Sequence, residues 1–267
     1  MKPLTAHGAK ILPPPPSGSF GRLSLRNTLL LAAVAGAVSV SGNVLRRMAD
    51  AGRLTRQSRP CNVDPPNPVG SVLIVGDSTA LGTGASTPEA TLAGRLAQRY
   101  PGLAIRNLAA AGARFEAIAR QLQDAGQHDV ILVAGGANDV MRFTAHDRLA
   151  QSIDLTLRRA AGQAGKVIVV PAPNVGNAPF FPPPLSWLFS RRARALHRLV
   201  RAGAAATGAA YVDLYRERAD DPFAQDPQRL IAADHLHPSD AGYAVWFDEI
   251  ERQAPLSQIL AGARRRE

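Results

Sequence analysis

Four short stretches combine residue types whose spacing allows chemistry. Asp234-His235-Leu236-His237-Pro238 places a carboxylate three residues before an imidazole. On one turn leading into a helix the two can face the same way. A carboxylate bonded to one imidazole nitrogen holds the tautomer whose other nitrogen accepts a proton. His-x-His beside an Asp also fits a metal site, but no other His or Cys falls at an expected strand end, so the ligand set is incomplete. No metal is expected. Gly76-Asp77-Ser78-Thr79 offers a hydroxyl just after a glycine that permits a sharp turn, and the same residues are ordinary turn chemistry. Asn107-Leu108-Ala109-Ala110-Ala111-Gly112-Ala113 has small residues that let a backbone approach a ligand, or let a helix pack closely. Gly135-Gly136-Ala137-Asn138-Asp139 can project an amide or cap a helix. Taken singly, each stretch is ambiguous.

Their positions narrow the choice. Five short apolar runs, Ser71–Val75, Leu103–Leu108, Val130–Ala134, Lys166–Val170 and Ala210–Leu214, read as strands of a sheet buried on both faces. Helical patterns lie between them. The first is capped at Ser86 or Thr87 and runs to Arg99; the next three are Arg114–Asp124, Ala145–Ala164 and Arg191–Ala206. A last helix runs from near Pro238 to about Arg252. This alternation predicts an α/β fold, a three-layer α/β/α sandwich with a five-stranded parallel sheet. In such sheets ligands bind outside the carboxyl ends of the strands. The serine, Gly112 and Asn138 stretches, at the ends of the first three runs, fall there.

With order and context included, the chain resembles the SGNH (GDSL-like) hydrolases, which share a flavodoxin-like sandwich. Their four blocks are matched by Ser78, Gly112, Asn138 and His237. The Gly-Asp-Ser start, Asn107 five before Gly112, Gly136-x-Asn138-Asp139 and Asp234-x-x-His237-Pro238 carry the likeness over roughly residues 71–250. It departs at Thr79, where the name-giving motif has Leu, and at His235, where Gly is common. The resemblance implies a serine ester hydrolase. Ser78 would be the nucleophile, His237 the base and Asp234 its orienting carboxylate. The Ser78 and Gly112 backbone N–H groups and the Asn138 amide would form the oxyanion hole. No cofactor is implied.

Two other classes compete. Gly82-Thr83-Gly84 hints at a dinucleotide loop, but Thr87 stands where the third glycine belongs, and no Gly-Lys-Ser/Thr comes after it to make a P-loop. A non-catalytic, membrane-anchored binding protein could keep the fold, yet would not need nucleophile, base and donors together. Asn174–Phe189 concentrates aromatic residues in what reads as one loop, walling a pocket, touching a membrane or packing on the domain edge. It tilts the expected substrate towards a lipid or short-chain ester, with a carbohydrate O-acetyl ester as the alternative.

The formal net charge is +10, but residues 1–66 hold nine Lys or Arg against Asp50 and Asp64. The excess thus belongs mainly to a basic tail. It reads as the flank of a membrane segment rather than a nucleic-acid surface, and no nucleic-acid partner is expected. Asn27–Leu45 has no charge and is just long enough as a helix to cross a bilayer. Two readings stand: an uncleaved anchor, or a signal peptide removed on export. Arg46, Arg47, Arg53, Arg56 and Arg59 after it oppose export of the C-terminal domain. The expected division is a tail with a Pro- and Arg-rich linker at 1–66, and a hydrolase domain at 67–267. Cys61 is the only cysteine, so no internal disulfide can form.

Overall fold

The structure, a computed structural model, describes residues 49–258. All of these fall in one compact unit. The uncharged segment 27–45 lies outside the described residues. Among the described residues, no helix is long and apolar enough to cross a membrane.

Five parallel strands form one sheet: β1 (Gly70–Gly76), β2 (Leu103–Asn107), β3 (His128–Gly135), β4 (Ala164–Pro171) and β5 (Ala210–Tyr211). Their order is β2-β1-β3-β4-β5, with Val72 opposite both Ile105 and Val130. Alternate side chains serve opposite faces. Leu73, Val75, Ile131, Val133, Val167 and Val169 join one core cluster; Val72, Ile74, Val130, Leu132, Ile168 and Val170 join the other. The first face is covered by α3 (Phe115–Gln121), α5 (His146–Ala161) and α6 (Leu185–Thr207) through Phe115, Ile118, Leu157 and Leu196. The second is covered by α2 (Leu92–Arg99) and α9 (Asp240–Gln253) through Leu92, Leu96, Tyr243 and Phe247. Burial on both faces explains why β1, β3 and β4 lack a polar alternation, whereas β2, at the edge, alternates and exposes Arg106. Short helices α1 (Ser78–Leu81) and α4 (Ala137–Met141) come after β1 and β3, while α7 (Pro222–Gln225) and α8 (Pro227–Leu230) lie before α9. Strand order reverses between β1 and β3, which is where doubly wound sheets bind ligands.

Several boundaries differ from the sequence reading. The helix expected from Ser86 or Thr87 begins at Leu92, after a 3₁₀ turn at Pro88–Ala90. Thr91, not Ser86 or Thr87, is its cap, with its side chain accepting from Gly94 N at 3.1 Å. Ser86 N instead donates to Asp240 Oδ1 at 2.7 Å, a partner far away in sequence. The fifth strand stops at Tyr211 rather than Leu214, because side chains take over the ladder. Val212 N still reaches Val169 O, but Asp213 N donates to Gln253 Oε1 at 2.8 Å. Finally, α6 starts at Leu185, so the supposed single loop Asn174–Phe189 ends in a helical turn. Phe180, Phe181 and Phe189 pack edge to face on the domain, with centroids 4.8 and 4.7 Å apart, while Trp187 points outward at 71% exposure.

Candidate active site

Ser78 opens α1 directly after β1, and the turn before it is determined by close packing. A side chain at Gly76 would come within 1.9 Å of the Ala134 carbonyl oxygen, so only glycine fits. Gln121 holds the same residue from both sides: Gly76 N donates to its Oε1 at 2.8 Å, and its Nε2 donates to Gly76 O at 2.9 Å. Asp77 caps α1, its Oδ1 accepting from Thr79 N at 3.0 Å and from Thr79 Oγ1 at 2.6 Å. Ser78 is thereby left half-buried at the edge of the sheet.

The second half of the site comes from a turn far along the chain, between α8 and α9. Ala232 N donates to His237 O at 2.8 Å and Ser239 N to Leu230 O at 2.9 Å, closing the turn at its base. Inside it, Asp234 Oδ1 accepts from Leu236 N and His237 N, both at 3.0 Å. Asp234 Oδ2 lies 2.5 Å from His237 Nδ1, and His237 Nε2 lies 2.8 Å from Ser78 Oγ. With Nδ1–H donating to the carboxylate, Nε2 is left as the acceptor for the serine hydroxyl. Burial pushes the Asp234 carboxyl upward, but the His237 hydrogen bond and charge and the two backbone N–H groups outweigh it and hold it below its ordinary value.

Gly112 and Asn138 meet on the other side. Gly112 has φ +75°, in the turn closed by Ala113 N to Ala110 O at 3.1 Å. Ala110 N in turn donates to Gly76 O at 3.1 Å, which draws this loop to the serine turn. Asn138 is buried in α4, and its Nδ2 donates to Ala113 O at 3.2 Å. An amide nitrogen carries two hydrogens, so the second stays available. Asp139 acts as a cap, though for α3 rather than its own helix: its Oδ2 accepts from Phe115 N at 2.9 Å. Sequence reasoning missed two residues here. One is Gln121; the other is Arg142, whose Nη2 lies 3.2 Å from where a Gly112 Cβ would be. Neither belongs to a motif, and only long-range packing brings them in.

His235 is exposed and has φ +62°, a left-handed conformation that glycine adopts without cost. That accounts for the Gly common at this position in the resembling family. Its role here is made by the backbone, whose carbonyl accepts from Phe180 N at 3.1 Å. Among the described residues, no group of three or more His, Cys, Asp or Glu side chains is arranged to hold a metal ion.

The GDSL-like lipase/acylhydrolase family matches residues 74–245, which contain all four blocks. Among solved structures, LAE5, an alpha/beta hydrolase enzyme from the metagenome of Lake Arreo, Spain, is 21% identical, with 70% of this chain and 95% of that one covered at a TM-score of 0.55. Axe2, an acetylxylan esterase from Geobacillus stearothermophilus, is 19% identical over 70% and 94% of the two chains, at a TM-score of 0.52. A member of the lipolytic protein G-D-S-L family from Veillonella parvula is 15% identical over 68% and 96%, at 0.54. These three likenesses concern the fold. No curated protein matches the chain. With the family match spanning well over half of its residues, and the sheet order and strand-end loops in place, the chain belongs to the GDSL-like lipase/acylhydrolase family and is a hydrolase of ester bonds.

Proposed function

We propose that the protein is a serine esterase working through an acyl-enzyme, with Ser78, His237 and Asp234 as its triad. The observation that carries this reading is the continuous line of contacts, Ser78 Oγ to His237 Nε2 at 2.8 Å and His237 Nδ1 to Asp234 Oδ2 at 2.5 Å. Ser78 Oγ forms a bond to the ester carbonyl carbon as His237 takes its proton. The imidazolium then protonates the leaving alcohol as the old C–O bond breaks. Water repeats the sequence and frees the acid. The Ser78 and Gly112 N–H groups and the second Asn138 amide hydrogen serve the oxyanion, where donors matter most because charge develops only at that moment. A fluorophosphonate probe should label the protein at Ser78 and nowhere else. Labelling that persists in Ser78→Ala would remove the nucleophile assignment.

A carbohydrate O-acetyl esterase is the second reading, supported by the likeness to the acetylxylan esterase of Geobacillus stearothermophilus. Nitrophenyl acetate, nitrophenyl octanoate and an acetylated xylooligosaccharide, offered side by side, separate the two. For location, we propose that residues 27–45 hold the chain at a membrane, on the basis of their uncharged length alone. Full-length protein should then stay with membranes through a carbonate wash. A product found soluble, or lacking its first forty or so residues, would exclude the anchor.

A further inference from the structure

A cavity of about 420 Å³ begins at Ser78 and His237 and runs beside α9. Val245, Trp246, Glu249 and Arg252 line it in succession. At about 1.5 Å per helical residue, Val245 to Arg252 spans ~10 Å, so the space is elongated away from the serine. Its apolar walls include Leu214, Phe223, Ile231, Leu236, Val245 and Trp246. The Phe223 and Trp246 rings lie 5.5 Å apart and bring α7 against α9.

Most polar groups around this space are engaged, although the buried Asn174 Oδ1 has no hydrogen-bond partner. Asn177 Nδ2 donates to Asp221 Oδ2 at 2.6 Å, and Asp221 Oδ1 accepts from Phe223 N at 2.9 Å. Asn174 Nδ2 donates to Arg216 O at 3.2 Å. Arg216 and Arg252 both donate to Glu249 Oε1, at 3.1 and 2.6 Å. These bonds tie the segment after β5 to the loop after β4 and to α9. They leave mainly hydrocarbon facing the cavity, the exposed Asp248 apart. A sugar entering here would find few free partners, the buried Asn174 Oδ1 among them, for the many water hydrogen bonds it gives up. An alkyl chain gives up only unfavourable hydration.

Resting on the Ser78 reading, we propose that this cavity takes the acyl chain of the ester, an alkanoyl group of about octanoyl length, and that the Arg216–Glu249–Arg252 cluster marks where the chain ends. The alcohol oxygen then leaves on the His237 side, where the imidazolium can protonate it. Val245 and Trp246, on the α9 wall before Glu249 and Arg252, set the chain length by how far they fill the cavity.

The test uses full-length protein with nitrophenyl esters from acetate to dodecanoate. kcat/KM should rise about threefold to fourfold per added methylene, the return on burying one, and level off near octanoate. Val245→Trp, which fills the cavity, should lower the octanoate-to-acetate ratio at least tenfold. Trp246→Ala, which lengthens it, should move the plateau to longer chains, so the proposal does not depend on one variant folding. A readout independent of turnover comes from Ser78→Ala combined with Trp187→Phe, which leaves Trp246 as the only tryptophan. Octanoate should shift its fluorescence saturably, and Val245→Phe, added to that background, should weaken the binding. Highest kcat/KM on acetate or on acetylated xylooligosaccharide, with no octanoate-dependent fluorescence, overturns the acyl cavity and leaves the esterase standing. Octanoate binding without Ser78 labelling supports the cavity and overturns the Ser78 reading.

Discussion

Two aspartates stand in the two turns that build the site, both fully shielded from solvent, and they are treated in opposite ways. In the 234–237 turn, Asp234 uses both oxygens: one takes two backbone N–H groups, the other the His237 ring. In the 76–79 turn, Asp77 uses one oxygen, for Thr79, and its Oδ2 has no hydrogen-bond partner. Burial raises both carboxyls, with opposite outcomes. For Asp234 the histidine and the backbone donors win, and the group sits below its ordinary value. For Asp77 burial wins over Thr79 and the His237 charge, helped by nearby Asp139, and the group sits above it. Burial alone therefore decides little; the number and charge of the partners decides. The first turn holds an anion ready to face an imidazolium. The second keeps a carboxyl mainly as a cap that shapes the backbone at Ser78.

The largest effect should come from breaking the first turn. Asp234→Asn should lower kcat by about 10⁴-fold, because an amide there can stabilise the wrong imidazole tautomer. A loss of less than tenfold on a chromogenic ester would reduce Asp234 to a turn former. Asn138→Ala, opposite both turns, should cost about 10²–10³ in kcat. If kcat holds within a few-fold while the melting temperature drops, its only task is the bond to Ala113 O.

Acid titration sharpens the contrast between the aspartates. Asp234, lowered on folding, contributes stability that is present above an unfolded value of about 3.9 and lost as pH falls through the folded value. Asp77, raised on folding, contributes stability present below about 3.9 and lost as pH rises through its folded value. The melting temperature of Asp77→Asn, taken relative to the parent, should climb with pH, and that of Asp234→Asn should decline. Parallel slopes would mean that the two sites are electrostatically alike.

The smallest effect belongs to His235→Gly. Relieving its left-handed backbone should stabilise the fold by about 1 kcal/mol, with kcat nearly unchanged. A large fall in kcat would give the exposed imidazole a part in turnover that its position does not suggest.

How much was legible in the sequence depended on distance along the chain. Ser78, Gly112, Asn138 and His237 stood out because each sits in a short block at the end of a strand or beside a helix start, where local pattern and chemistry coincide. Thr91 displaced Ser86 as a helix cap because Asp240, far along the chain, takes Ser86. The early end of β5 results from Gln253 capturing Asp213 N. Neither competitor is visible in a local window. The start of α6 was missed because the Pro182–Pro184 run reads as loop, although proline before a first helical turn is compatible with helix.

By itself the sequence determined the alternation of buried strands and helices, hence the parallel sheet, and the order of four chemically suggestive blocks along it. Those depend on periodicity and residue type, which are local. Only the tertiary structure decided that the 234–237 turn closes on Ser78 at hydrogen-bonding distance, that Gln121 clamps Gly76, and that an apolar space runs from the serine along α9. Each of these needs two segments far apart in sequence to be brought together by the packing of helices on the sheet. Such distances are set by the sum of the core contacts, and no single stretch of residues carries them.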